Sequence, residues 1–160
     1  MDSILAVVWM RELGYEVHPV FFSAPYIFAE RAVRSAAENG LKLTVVDISQ
    51  KHLEMLSDPV YGYGRNVNPC IDCHALMFRE AGGLLDQFKA DFLISGEVLG
   101  QRPMSQRRNA LQAVDKHSGC GDLIVRPLSQ KLLSDTKPIR DEWVDKDLLL
   151  AIHGRGRKRQ

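Results

Sequence analysis

Apolar residues recur at helical spacing in some segments of the chain and at strand spacing in others. Those within 3–13 follow a helical period, and Gly14 after them is a typical helix end. The β-branched run over 41–48 predicts the clearest strand. Further strands are predicted over 16–22, 90–95 and 123–125, and further helices over 26–39, 52–56, 68–88, 105–116, 128–133 and 143–152. This alternation predicts an α/β fold with a doubly wound parallel sheet and ligands at the carboxyl ends of its strands.

Composition indicates one domain whose overall electrostatic field is weak. The chain has 160 residues and a formal net charge of +1, so any RNA contact must come from local basic clusters. One cluster comprises Arg102, Arg107 and Arg108, and the other is the glycine-broken tail over 153–160. A solvated surface is an equally good interpretation of each cluster taken alone. Three cysteines and the lack of a membrane-length apolar run favour a reduced, cytoplasmic setting with no membrane partner.

The run NPCIDCH at 68–74 carries the strongest chemical signal, because it sets two thiols in the first turn of a predicted helix. Asn68 is expected to cap that helix. Unpaired N–H groups and the helix dipole favour a thiolate there, and Arg65 adds positive charge. We therefore expect Cys73 to be a nucleophile with a lowered pKa. Cys70 precedes it by one helical turn and shares its helix face.

Four functions are compatible with this motif. A zinc knuckle would need Cys120 with His74 or His117 as further ligands. A c-type haem site matches the literal Cys-x-x-Cys-His but requires export. A thioredoxin-like redox pair would lie nearer the first strand. The fourth function, a sulfur-transfer nucleophile, is favoured by the segments that follow.

These segments resemble 4-thiouridine synthetases. The run ISGEVLGQ at 94–101, followed by Ser-Gln at 105–106 and by Asn109, is similar to their Gly-Glu-x-Leu-Gly-Gln region. The run VRPL at 125–128 resembles their LRPL segment, and CxxxMxRxA at 73–81 resembles their catalytic cysteine helix. The Asn-Pro-Cys-x-x-Cys start is instead similar to tRNA 2-thiouridylases.

Both groups are PP-loop nucleotide hydrolases, so the resemblance implies a Rossmann-like fold of the PP-loop (HUP) type. In that family a Ser-Gly-Gly-x-Asp-Ser loop joins the first strand to the first helix and cradles pyrophosphate. Met1-Asp2-Ser3 is similar to the last three positions of the loop, so the first strand is expected to lie upstream and to be missing here. The predicted arrangement is a PP-loop domain over 1–152, truncated at its start, and a basic tail over 153–160.

The resemblance implies an ATP-dependent tRNA sulfurtransferase that uses Mg²⁺. A uridine carbonyl oxygen is activated as an adenylate and then replaced by sulfur. Cys73 would carry a persulfide, and Cys70 or Cys120 would resolve the resulting disulfide. In a second version these three cysteines are the metal ligands of a [4Fe-4S] cluster that holds sulfide. The expected partners are tRNA, a sulfur donor protein or sulfide, and a separate domain or chain that presents the tRNA.

The resemblance also assigns the binding residues. The predicted nucleotide-binding residues are Asp2, Ser3, Ser23, Gly96 and Gln101. The three arginines of the mid-chain cluster would contact pyrophosphate or the tRNA backbone. A rival hypothesis from another class is a zinc- or RNA-binding module that descends from such an enzyme and no longer uses ATP.

Overall fold

The structure is a computed structural model that describes residues 2–63 and 69–156. The helices and strands are α1 (Asp2–Glu12), β1 (Val20–Ser23), α2 (Glu30–Glu38), β2 (Thr44–Asp47), α3 (Ser49–Ser57), α4 (Cys70–Gly83), α5 (Leu85–Phe88), β3 (Leu93–Ile94), α6 (Arg108–Ser118), β4 (Ile124–Val125) and α7 (Lys137–Arg140). Short 3₁₀ turns occupy Gly121–Leu123, Gln130–Leu132 and Lys146–Leu148. Within the described ranges, no helix combines the length and apolar character that a membrane crossing requires.

The strands form two separate parallel pairs. β1 lies beside β2 with Phe21 opposite Val45, and β3 lies beside β4 with Ile94 opposite Val125. Neither pair shares a strand with the other in the part of the chain that is described. The α/β class with parallel strands is therefore confirmed, whereas the described strands do not form the single doubly wound sheet that was expected.

Helix α1 packs against the β3–β4 pair and the carboxyl-terminal part of the chain. Met10 is fully buried and packs with Val125 and Leu149. Ala6, one helical turn earlier, packs with Val98, which follows β3. These apolar contacts fix the start of α1 beside the turn that leaves β3.

The β1–β2 pair packs against the two helices that follow it. Ala24, Ile48 and Leu76 form a buried cluster, which Phe22 and Val46 cover from the strands. Helix α4 also packs along α6, so it lies between the first strand pair and the second half of the chain. Helix α4 carries Cys70 and Cys73 and is called the cysteine helix below. It is thus packed against neighbours on two sides.

The cysteine helix begins and ends differently from the expectation. The predicted helix over 68–88 begins at Cys70, with Pro69 at the cap position and no capping side chain. It divides after Gly83 into α4 and α5. The expected cap Asn68, and Arg65 beside it, lie outside the described residues.

The prediction of a helix over 143–152 is wrong. After the turn at Lys146–Leu148 this segment runs extended, and the N–H of Leu150 donates to the carbonyl of Pro127 at 2.8 Å. Ile152 is buried in the same extended stretch. Its apolar residues have a spacing that suits a helix, but the segment satisfies its backbone groups against the chain that leaves β4.

Candidate functional site

The start of α1 lies directly against the turn that follows β3. A Cβ atom built at Gly96 would be 2.4 Å from both the Cα and the N of Ser3, and 2.7 Å from the carbonyl carbon of Asp2. No side chain fits at position 96 unless the backbone moves. The first N–H groups of a helix have no acceptor within the helix, so this junction presents a helix end that attracts anions. The structure thus brings together three of the five predicted nucleotide-binding residues.

The other two predicted nucleotide-binding residues have different neighbours. The Ser23 hydroxyl, at the end of β1, donates to the Val46 carbonyl at 3.5 Å. Gln101 lies in a turn, where its N–H donates to the Val98 carbonyl at 3.1 Å and its own carbonyl accepts from Nε of Arg155 at 3.2 Å. These contacts do not join either residue to the α1–Gly96 junction.

A buried ionic network connects α4 to the turn after β3. Nδ1 of His74 and Oε1 of Glu97 are 2.8 Å apart, and the other oxygen of Glu97 accepts from Nε of Arg126 at 2.9 Å. The two terminal nitrogens of Arg126 donate to Asp115 at 2.7 and 3.1 Å. Glu97 and Arg126 are almost fully buried, where each charge needs its partner. The network therefore fixes the residue after Cys73 to the turn beside α1.

Charges within this network stabilise one another. Burial by itself raises the pKa of Glu97, but the hydrogen bond to His74 and the charge of Arg126 outweigh it and hold that pKa below its ordinary value. Burial likewise opposes the charge of Arg126, yet Glu97 and Asp115 keep its pKa above the ordinary value. Burial leaves the pKa of Asp115 raised despite its bonds to Arg126. The Glu97–Arg126 pair is thus ionised at neutral pH.

Cys73 differs from the expected low-pKa thiol. Burial raises its pKa to about 11, and the neighbouring Cys70 adds to the rise. Loss of water around the sulfur therefore outweighs the helix end, and the thiol is protonated at neutral pH. Its Sγ lies 3.7 Å from Nε2 of His52 on α3.

His52 is the neighbouring side chain that can accept the proton of the Cys73 thiol. The imidazole is 5 % exposed, and burial lowers its pKa, so the ring is neutral at pH 7. Its Nδ1 has no hydrogen-bond partner among the residues described. A neutral imidazole beside a thiol can accept the proton as the sulfur forms a bond.

Cys120, which follows α6, contacts a later part of α4 than the turn that holds Cys70 and Cys73. Its Sγ is 3.2 Å from the carbonyl oxygen of Phe78, and a Cβ atom at Gly82 would meet it at 3.4 Å. Both positions lie beyond the first helical turn, which holds Cys70 and Cys73. The structure therefore brings two of the three predicted cysteines together and sets the third apart. Across 2–63 and 69–156, no group of three or more His, Cys, Asp and Glu residues is arranged to hold a metal ion.

Asp72, in the first turn of α4, contacts the segment around Tyr61. This carboxylate is fully buried and accepts from the N–H of Tyr61 at 3.1 and 3.3 Å. Nε2 of His117 lies 3.4 Å from the same carboxylate, and the Tyr61 ring meets the His117 ring edge-on. A mixed-charge cavity of about 440 Å³ opens beside these residues, lined also by Lys51 and Arg79.

Four residues of the site, Glu97, Asp115, Arg126 and His52, were missed from the sequence. Arg126 lies within the VRPL run, and the Glu97 with which it pairs lies within ISGEVLGQ, so two oppositely charged motif residues were the available signal. Asp115 lies on α6 and carries no such signal. His52 has no local motif at all, because only the packing of α3 on α4 brings it to Cys73.

Comparison with protein-family models, with curated proteins and with solved structures gave no match. The resemblance of the motifs to PP-loop thiolation enzymes therefore stays a prediction. The contacts of the site are the basis for a proposal about function.

Proposed function

We propose that this chain is the nucleotide-using domain of a tRNA uridine sulfurtransferase in which Cys73 carries the sulfur. The observation that carries the proposal is the meeting of three segments that lie far apart in sequence. The start of α1 touches Gly96, and the next residue, Glu97, is hydrogen-bonded to the cysteine helix through His74. These are the segments whose motifs resemble the thiolation enzymes. Such a meeting suits a reaction that must hold an activated carbonyl and a sulfur nucleophile close together.

Residues at the start of α1 fit a nucleotide phosphate. Because Gly96 has no side chain, the turn after β3 approaches the helix end, and backbone N–H groups from both segments can line one anion site. The carboxylate of Asp2, in the first helical turn, would hold Mg²⁺. Bound ATP would supply the activation of the uridine carbonyl oxygen, which is a poor electrophile before activation.

The cysteine helix supplies the sulfur chemistry. In the proposed mechanism the Cys73 thiol gives its proton to Nε2 of His52 as its sulfur reacts, since the thiol is protonated at neutral pH. The Cys73 sulfur would take an outer sulfur atom from a persulfide of the sulfur donor protein, which would leave as a thiol. This outer sulfur would attack the activated carbon of the base, displace AMP and join Cys73 to the base through a disulfide. Attack of the Cys70 thiolate on the Cys73 sulfur would then release the thiolated base and leave a Cys70–Cys73 disulfide. A thiol reductant would reopen that disulfide for the next turnover.

The test is the thiouridine content of tRNA. Cells that lack this gene are supplied with the wild-type gene or with a Cys73→Ser variant, and their tRNA nucleosides are analysed by mass spectrometry. We expect thiouridine with the wild type and none with the variant. Wild-type thiouridine levels with Cys73→Ser would rule out the assigned role of Cys73, and unchanged tRNA in cells without the gene would rule out the function.

A second candidate is an RNA-binding module that descends from such an enzyme and no longer uses ATP. Exposed arginines in segments that contain no Asp or Glu favour it. Calorimetry with ATP and Mg²⁺ separates the two candidates. Saturable ATP binding, lost when Gly96 is replaced by Ala, supports the enzyme, whereas RNA binding without ATP binding supports the module.

A further inference from the structure

The start of the basic tail contacts the loop that carries the first arginine of the mid-chain cluster. Leu99 forms a parallel bridge with His153, and the N–H of Gly154 donates to the Leu99 carbonyl at 2.8 Å. One residue later, Nε of Arg155 donates to the carbonyl of Gln101 at 3.2 Å. The start of the basic tail is therefore attached to the loop that leads to α6.

A third segment, 123–134, joins the same surface. The Ser129 hydroxyl bonds to the main chain of both other segments, at 3.0 and 2.7 Å. A terminal nitrogen of Arg108 donates to the Leu132 carbonyl at 2.9 Å. Lys131 is exposed at the edge of this surface, where its ammonium donates to the main-chain carbonyl of Asp147 at 2.7 Å.

These three segments carry positive charge only. Residues 98–114, 123–134 and 148–160 contain no Asp or Glu, so all 20 acidic residues of the chain lie elsewhere. Five exposed cations occupy the described part of the surface: Arg102, Arg107, Arg108, Lys131 and Arg155. We call these five residues the cationic face. The net charge of +1 thus conceals one strongly basic region.

The arginines of the cationic face remain available for a ligand. In the part of the chain that is described, none of the four forms a salt bridge with a carboxylate, whereas Arg126 and Arg140 each do. An exposed guanidinium presents several N–H donors in a planar fork that matches phosphate oxygens. Several such groups on one surface are typical of proteins that neutralise a phosphate backbone.

We propose that the cationic face binds the phosphate backbone of RNA. The choice of RNA among polyanions rests on the proposed function. The face begins a few residues after the Gly96–Glu97 turn, and Val98 between them is buried against Ala6 of α1. RNA held on the face therefore lies on the structural unit that forms the candidate site. Because phosphates carry no sequence information, the face binds structured RNAs of equal length with similar affinity.

The test measures binding to a fluorescently labelled tRNA transcript by anisotropy at several KCl concentrations. The full chain is compared with an Arg102→Glu, Arg107→Glu variant. The matched control is Arg31→Glu, Arg34→Glu, which makes the same charge change at two exposed arginines of α2, outside the face. We expect the first variant to bind about tenfold or more weakly, and the slope of log K against log salt to shrink by about 0.7 to 0.9 for each phosphate that the variant no longer neutralises. The control variant keeps its affinity within about threefold.

Three results would contradict RNA binding by the cationic face. They are no RNA binding by the wild type, equal weakening of binding in the two variants, or an unchanged salt slope in the Arg102→Glu, Arg107→Glu variant. The thiouridine assay of the proposed function is run in parallel. If thiouridine persists while the two variants bind RNA equally, the cationic face does not bind RNA and the proposed function stands. If RNA binding depends on these arginines but the protein yields no thiouridine, the cationic face binds RNA and the proposed function is wrong.

Discussion

Gly96 lies so close to Ser3 that a Cβ atom at position 96 would be 2.4 Å from the Ser3 backbone. We predict that Gly96→Ala lowers the free energy of unfolding by about 1 to 3 kcal/mol, because helix α1 must move away from the turn. Urea unfolding followed by circular dichroism measures the change. Gly83→Ala is the matched control, since a Cβ atom there meets nothing within 4 Å and Ala favours a helix. Equal effects of the two substitutions would contradict the close contact.

The three cysteines are predicted to differ in their importance for thiolation. Cys73→Ser is expected to abolish thiouridine, and Cys70→Ser to reduce it, because their thiols share the first turn of α4. Cys120→Ser is expected to have a small effect in the persulfide mechanism, since its sulfur lies beside Phe78. Mass spectrometry of tRNA nucleosides from complemented cells measures all three.

The same series separates the persulfide from the cluster mechanism. If a [4Fe-4S] cluster needs Cys120 as its third ligand, Cys120→Ser removes activity as completely as Cys73→Ser does. Iron and sulfide analysis of the protein purified without oxygen provides the second measurement. Loss of both iron and thiouridine in Cys120→Ser would contradict the persulfide mechanism.

Local pattern predicted the elements in the first part of the chain better than those near its end. Helix α1 was predicted over 3–13 and spans Asp2–Glu12, and its buried residues Ala6 and Met10 lie one helical turn apart. The helix over 143–152 was wrong because the main chain of Leu150 is satisfied by Pro127, a contact that no local pattern encodes.

The candidate site follows the same division between local and tertiary information. Ser3 and Gly96, which the resemblance assigns to one nucleotide site, are neighbours in the structure. The raised pKa of Cys73 was not predicted, because the helix end is a local feature whereas burial is a tertiary one. The contact of His52 with Cys73 likewise depends on how α3 packs against α4.

Alkylation of Cys73 is predicted to be slow at neutral pH and to accelerate with alkali. Its pKa is raised to about 11 by burial and by Cys70, and iodoacetamide reacts with the thiolate. The rate should therefore rise about tenfold per pH unit from pH 7 to pH 10. Peptide mass spectrometry after timed alkylation of the Cys120→Ser protein gives the rate for each cysteine.

Cys70 provides the control for that pH profile. In the Cys70→Ser, Cys120→Ser variant the neighbouring thiol is gone, so the pKa of Cys73 should fall and its alkylation at pH 8 should be faster. Burial remains the larger cause, so the profile should still rise above pH 8. A rate for Cys73 that is already constant between pH 7 and pH 8 would contradict the buried, protonated thiol.

Two arginines with the same kind of partner are predicted to differ strongly in their effect on stability. Arg126 is buried and donates twice to Asp115 and once to Glu97, whereas Arg140 donates twice to Asp122 on the surface. Arg126→Leu leaves the buried Glu97 carboxylate and the partly buried Asp115 carboxylate without their cation, so we expect a loss of about 3 to 5 kcal/mol in the free energy of unfolding.

Arg140→Leu is the matched control for this prediction. Water and salt screen the exposed Arg140–Asp122 pair, so its removal should lower the free energy of unfolding far less than removal of Arg126 does. Urea unfolding at low and high NaCl measures both variants, and only the small effect of Arg140→Leu should shrink with salt. If Arg126→Leu fails to fold, Arg126→Lys keeps the charge without the fork and should lose less stability. Similar small losses in both arginine-to-leucine variants would mean that the buried network does not hold the cysteine helix against the turn after β3.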